Sequence, residues 1–120
     1  MTPEKKITLN GKEVGFKYCL STEQAFETIA GYPLAKADLE TEADMARLSM
    51  ACILAYKYAH ELEEAPLTLN EILFELNAKD IIIMVATVQA LRKEWYTVSE
   101  VETAEDKLEE EEEEENKPKN

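Results

Sequence analysis

The sequence predicts a mainly α protein: an N-terminal β-hairpin, then a small bundle of about four helices, then a disordered acidic C-terminal tail. Three observations carry that reading. Asn10-Gly11 sits between two alternating apolar runs, the favoured signal of a two-residue hairpin turn. Four later segments carry apolar residues at helical spacing behind recognisable caps. From Val98 the chain holds eleven acidic residues and three lysines, with almost nothing apolar to bury. The division is residues 1–97 as one hairpin-plus-helix domain and 98–120 as the glutamate-rich tail.

The hairpin comes first. Ile7, Thr8 and Leu9 alternate before the turn, and Val14, Phe16 and Tyr18 alternate after it. With Asn10 and Gly11 at the tip, Leu9 faces Lys12 and Ile7 faces Val14. Ile7, Leu9, Val14, Phe16 and Tyr18 then share one face. A lone two-stranded hairpin is marginal in water, so that face needs helices or a neighbour's strands beneath it. Gly15 marks a bulge or a close approach in the return strand.

Ser21-Thr22-Glu23-Gln24 has the pattern of a capping box with Ser21 as cap. It opens a short helix bearing Ala25, Phe26, Ile29 and Ala30, which Gly31 ends in the left-handed conformation. Thr41 caps the longest apolar helix, read from about Glu42 to Glu61, with Glu42 and Asp44 in the first turn where carboxylates suit the helix dipole. Its stripes (Met45, Leu48, Cys52, Ala55, Tyr56, Ala59 and Met50, Ile53, Leu54, Tyr58) cover most of its circumference. A helix on the outside of a small domain needs one stripe. This one is a central post that other elements, or another copy in a homo-oligomer, must cover.

Thr68 and Glu71 form a second capping box, flanked by the staple pair Leu67 and Ile72. The short helix behind it carries Ile72, Leu73, Phe74 and Leu76 and stops near Asn77. Asp80 reads as the cap of the last helix. Ile81 to Val85 is β-branched enough for a buried strand, but the pattern runs on through Val88, Leu91 and Trp95 with no turn signal, which favours a helix to about Tyr96. It too is apolar on more than one face.

The net charge of −13 sits disproportionately in the tail, −8 against −5 for the first 97 residues. It argues against a nucleic-acid binder, which needs clustered Lys and Arg, and against docking on an anionic membrane. The longest uncharged apolar run, Leu48 to Tyr56, is far too short to span a bilayer. No basic-then-apolar leader opens the chain, and Cys19 and Cys52 stand apart without CxxC spacing. The expected place is the cytoplasm.

Chemistry-bearing residues are few. His60 is the single histidine. It lies eight residues from Cys52 on one helix, about 12 Å away, too far to activate that thiol. No EF-hand or zinc spacing is present, and none of the three glycines belongs to a phosphate-binding loop. The expectation is a non-enzymatic protein with no catalytic residues, metal or cofactor. Contacts with a partner are expected from aromatic residues on the two over-apolar helices: Tyr56, Tyr58, Trp95 and Tyr96.

Taken in order, these pieces resemble the small tail assembly chaperones of long-tailed bacteriophages and related prophages. The matching features are the opening hairpin Ile7-Thr8-Leu9-Asn10-Gly11-Lys12-Glu13 with its Phe16 strand, and the short helix with Phe26-Glu27 that ends at Gly31. Then come the alanine-rich helix Leu48 to His60, the capped segment Leu67-Thr68-Leu69-Asn70-Glu71-Ile72, and one more helix, covering about Ile7 to Tyr96 in all. One departure is the missing glycine after the alanine-rich segment, where Tyr58-Ala59-His60 stands. The resemblance implies a virion assembly factor, working in the bacterial host cytoplasm, that coats the tape measure protein and helps recruit tail tube protein. The alternative is an acidic regulatory protein, a nucleic-acid mimic that binds a basic partner through its tail.

Overall fold

In the computed structural model the backbone is described for residues 2–116 and the side-chain surroundings for residues 2–97. Strands β1 (Glu4–Leu9) and β2 (Lys12–Lys17) form an antiparallel hairpin. Helices α1 (Leu20–Ala30), α2 (Glu42–Ala59), α3 (Leu69–Phe74) and α4 (Ala78–Asn116) follow, with one 3-10 turn at Leu34–Lys36. The mainly α architecture with a leading hairpin is the one the sequence predicts.

The hairpin register pairs Leu9 with Lys12 and Ile7 with Val14, as the turn requires. Asn10 (φ 50°) and Gly11 (φ 75°) both take positive φ, the backbone that Asn-Gly tolerates and most residues resist. Leu9, Val14, Phe16 and Tyr18 are fully buried against the helices. The pairing runs unbroken through Gly15, so that glycine marks a close approach and no bulge. A Cβ there would lie 2.3 Å from the Tyr56 ring, because that ring packs flat under the strand.

Helix α2 is the post. Met45, Leu48, Ala51, Cys52, Ile53 and Ala55 are buried around it, and α1, β2, α3 and α4 all pack on it. Its apolar circumference is therefore covered largely by its own chain. Burying each large side chain contributes roughly 1.5–3 kcal/mol. Thr41 caps α2 with its hydroxyl on the Asp44 amide at 3.3 Å. At the other end His60 closes the helix and Glu61 takes the left-handed conformation (φ 52°). The amides of Leu62 and Glu61 then turn back onto the carbonyls of Lys57 (3.0 Å) and Tyr58 (3.3 Å). This is a Schellman closure with glutamate where glycine is usual.

Two caps differ from the sequence reading. Helix α1 starts at Leu20, so Ser21 lies inside it and is exposed. The work of the box falls to Thr22, whose buried hydroxyl accepts the Cys19 amide (3.1 Å) and donates to the Lys17 carbonyl (2.7 Å). At α4 the cap is Asn77, whose side-chain oxygen accepts the Asp80 amide at 2.8 Å. Asp80 instead reaches across the fold, where its carboxylate accepts the Asn10 amide at 2.9 Å. The Thr68–Glu71 box forms as expected, with Leu67 and Ile72 buried beside it.

Helix α4 continues to Asn116, well past an end near Tyr96. Glutamate, alanine, leucine and lysine all favour helix intrinsically, and no glycine or proline interrupts the run before Pro118. Over residues 98–116 the backbone is thus helical where the sequence reading expected a disordered tail; the side chains of that span, and residues 117–120 altogether, lie outside the described residues.

Candidate functional site

The four aromatics expected at a contact patch lie in different settings. Tyr56 is buried beneath Gly15, and its ring stacks on His60 with centroids 4.1 Å apart. Tyr58 is 74% exposed, with the Lys57 ammonium 4.8 Å from its ring centroid. Trp95 is half-buried against the core. Tyr96 is 38% exposed and reaches α1, where its hydroxyl donates to Glu23. Tyr56 and Tyr96 line separate depressions that share no residue.

His60 lies at the surface, as its place at a helix end suggested. Its Nε2 sits 3.0 Å from the Glu4 carboxylate, which also meets the Lys17 ammonium at 3.2 Å. Burial would raise the Glu4 pKa, but the hydrogen bonds from His60 and Lys17 outweigh it and hold the carboxyl below its ordinary value. Cys52 is wholly buried, and burial pushes its thiol far above the ordinary range, so it stays a protonated core residue. Among the described residues, no three of His, Cys, Asp and Glu come together as a metal site. No described helix is long and apolar enough to cross a membrane.

The feature that stands out is a groove between α2 and α4. Two adjoining cavities, of about 410 and 500 Å³, share Leu39, Met45 and Gln89. One wall is the α4 stripe Ile81, Val85, Gln89, Arg92 and Tyr96, at the three- and four-residue spacing of a helix face. The stripe from Ile81 to Thr97 is about 24 Å long at 1.5 Å per residue. The floor is apolar: Met45, Leu48, Met84 and Val88 are all buried. Leu73 and Ile81 stay exposed at its open end, and their neighbours in the chain, Phe74 (80%) and Ile82 (68%), are exposed as well.

Charged residues mark the two ends. Glu40 and Glu42 line the cavity that holds Ile81, while Arg92 and Lys93 line the cavity that holds Tyr96. Arg92 lies over the Tyr96 ring, 5.1 Å from its centroid. Its Nε is buried with no hydrogen-bond partner among the described residues. Glu23 is engaged elsewhere, accepting the hydroxyls of Tyr18 (3.0 Å) and Tyr96. Burial, followed by that carboxylate, raises both phenols above their ordinary value.

Behind the acidic end, Asp44 fastens the α1–α2 connection. It accepts the Tyr32 hydroxyl, the Asp38 amide (2.9 Å) and the Arg47 guanidinium (2.8 Å). Those donors, Tyr32 first, hold its carboxyl below its ordinary value. The segment carrying Leu39 is thereby pinned at the edge of the groove.

No family model matches this chain, and no curated protein or solved structure is detectably similar to it. The groove residues were only partly legible in the sequence. The over-apolar character of α4 signalled an uncovered face, but periodicity does not say which of its stripes meets α2 and which stays open.

Proposed function

We propose that this protein is a non-enzymatic assembly chaperone that holds an amphipathic client helix in the α2–α4 groove. The observation that carries it is the groove itself: a channel about 24 Å long with an apolar floor, left open in a chain that covers much of the rest of its post helix. Amphipathic helices lay their apolar faces into such channels, with anchors at three- and four-residue spacing. The resemblance noted in the sequence makes the client the tape measure protein of a bacteriophage or prophage tail, with tail tube protein as a second partner.

The test is a capture experiment in cells that also express the neighbouring genes. Full-length protein and a version ending at Thr97 would each be tagged, and the co-purifying proteins identified at low and high salt. Retention of a long helical protein by both versions at high salt supports the chaperone reading. The seven-glutamate run Glu109 to Glu115 is what favours the acidic mimic. That reading gains if a basic protein is captured by the full-length form alone and lost in salt.

A further inference from the structure

The two ends of the groove carry opposite charge, and no ion pair among the described residues takes it up. Glu40 and Glu42 are exposed, Lys93 is exposed, and none of them forms an ion pair among the described residues. Arg92 likewise makes no ion pair among these residues; its guanidinium lies over the Tyr96 ring and shares a neighbouring depression with Glu23, whose carboxylate is taken up by the Tyr18 and Tyr96 hydroxyls. The basic end stands out further because the chain as a whole is so acidic. An apolar channel alone accepts any greasy helix, whereas fixed charges at both ends discriminate among them.

We propose that the groove selects a client helix of dipolar charge pattern. The client carries an apolar stripe, lysine or arginine at the end that meets Glu40 and Glu42, and a carboxylate at the end that meets Arg92 and Lys93. The proposal rests on the helix-docking reading above and adds what kind of helix docks, and in which direction. Arginine suits the basic end because its planar fork takes a carboxylate through two parallel hydrogen bonds. Rim charges of this kind chiefly set partner choice and register rather than total affinity.

The test uses peptides about 17 residues long, the span of the groove at 1.5 Å per residue. All share one leucine stripe at helical spacing. Two are dipolar, with glutamates at one end and lysines at the other in the two possible orders. A third has lysines at both ends, and a fourth has glutamines at both. Binding to the full-length protein is read by fluorescence anisotropy at low and moderate salt.

One dipolar order should bind about five- to tenfold tighter than the glutamine peptide, a margin of the size that a few exposed ion pairs supply. Arg92→Gln with Lys93→Gln, and separately Glu40→Gln with Glu42→Gln, should each erase most of that margin. Circular dichroism confirms that both variants fold. Equal binding of all four peptides, abolished by Val85→Glu, would overturn the charge proposal while leaving the groove as the docking site. Tightest binding by the doubly basic peptide, unaffected by either variant pair, would overturn it in favour of the general acidity of the chain. Failure of every peptide to bind would overturn the groove reading together with this one.

Discussion

Helix α2 has two sides that its sequence scarcely distinguishes. Towards its C-terminus it is sealed: the Tyr56 ring fills the space under Gly15, His60 stacks on that ring, and Cys52 and Ile53 are buried. Towards its N-terminus, Met45 and Leu48 form the floor of an open channel facing α4. Both regions are apolar, but in the first the hairpin packs directly on the helix and leaves chiefly Tyr58 exposed, whereas in the second the apolar floor faces a channel. The comparison separates apolar surface spent on stability from apolar surface held for a partner. It predicts that mutations on the sealed side cost folding and mutations on the open side cost binding.

The largest effect should come from the sealed side. Gly15→Val places side-chain atoms inside the Tyr56 ring and should cost on the order of 2–4 kcal/mol, read as a lowered urea midpoint. If the clash is the cause, adding Tyr56→Ala to that variant should cost far less than Tyr56→Ala does alone, a coupling that a double-mutant cycle measures. Additive effects would mean that Gly15 matters for some other reason.

Asp44→Ala comes next, at about 1–3 kcal/mol, because it strands the Tyr32 hydroxyl and the Asp38 amide. The wild-type protein should also show the carboxylate in its pH dependence. The folded Asp44 pKa lies below its ordinary 3.8, so the stability it supplies is fully present above that value. It is lost as pH falls through the lower folded value. Denaturation midpoints of the Asp44→Asn variant should therefore fall less steeply at acid pH than those of wild type.

On the open side, Ile81→Glu should leave stability within about 0.5 kcal/mol of wild type and weaken client capture at least tenfold. A variant that unfolds instead would erase the distinction between the two sides. The smallest effect is a gain. Glu61→Gly removes the cost of a left-handed glutamate and should stabilise by roughly 0.5–1 kcal/mol, seen as a small rise in melting temperature.

What the sequence revealed follows from how local each signal is. Asn10-Gly11 and the Thr68–Glu71 box are complete within a few residues, and both form as read. Ser21 misled because its motif matched by spacing, while Thr22 holds the Cys19 amide and the Lys17 carbonyl together. Asp80 misled because its partner, Asn10, is seventy positions away. The groove belongs to this second class. Periodicity showed that α4 carries surplus apolar surface, but which stripe remains open depends on where the Leu39 segment and Asp44 hold the first half of the chain.

The bond from the Asn10 amide to Asp80 joins the first element of the fold to the last. During synthesis the hairpin leaves the ribosome first, yet its turn cannot acquire this partner until α4 has begun to emerge. Strand pairs are marginal alone, and contacts between distant parts of a chain form slowly. A nascent chain that has made only the hairpin, α1 and α2 can cover the faces of its post helix that α1 and β2 pack on, but leaves open the face that meets α3 and α4. The interval before α4 arrives is when this protein itself needs protection from aggregation, the hazard its groove is proposed to relieve in another chain.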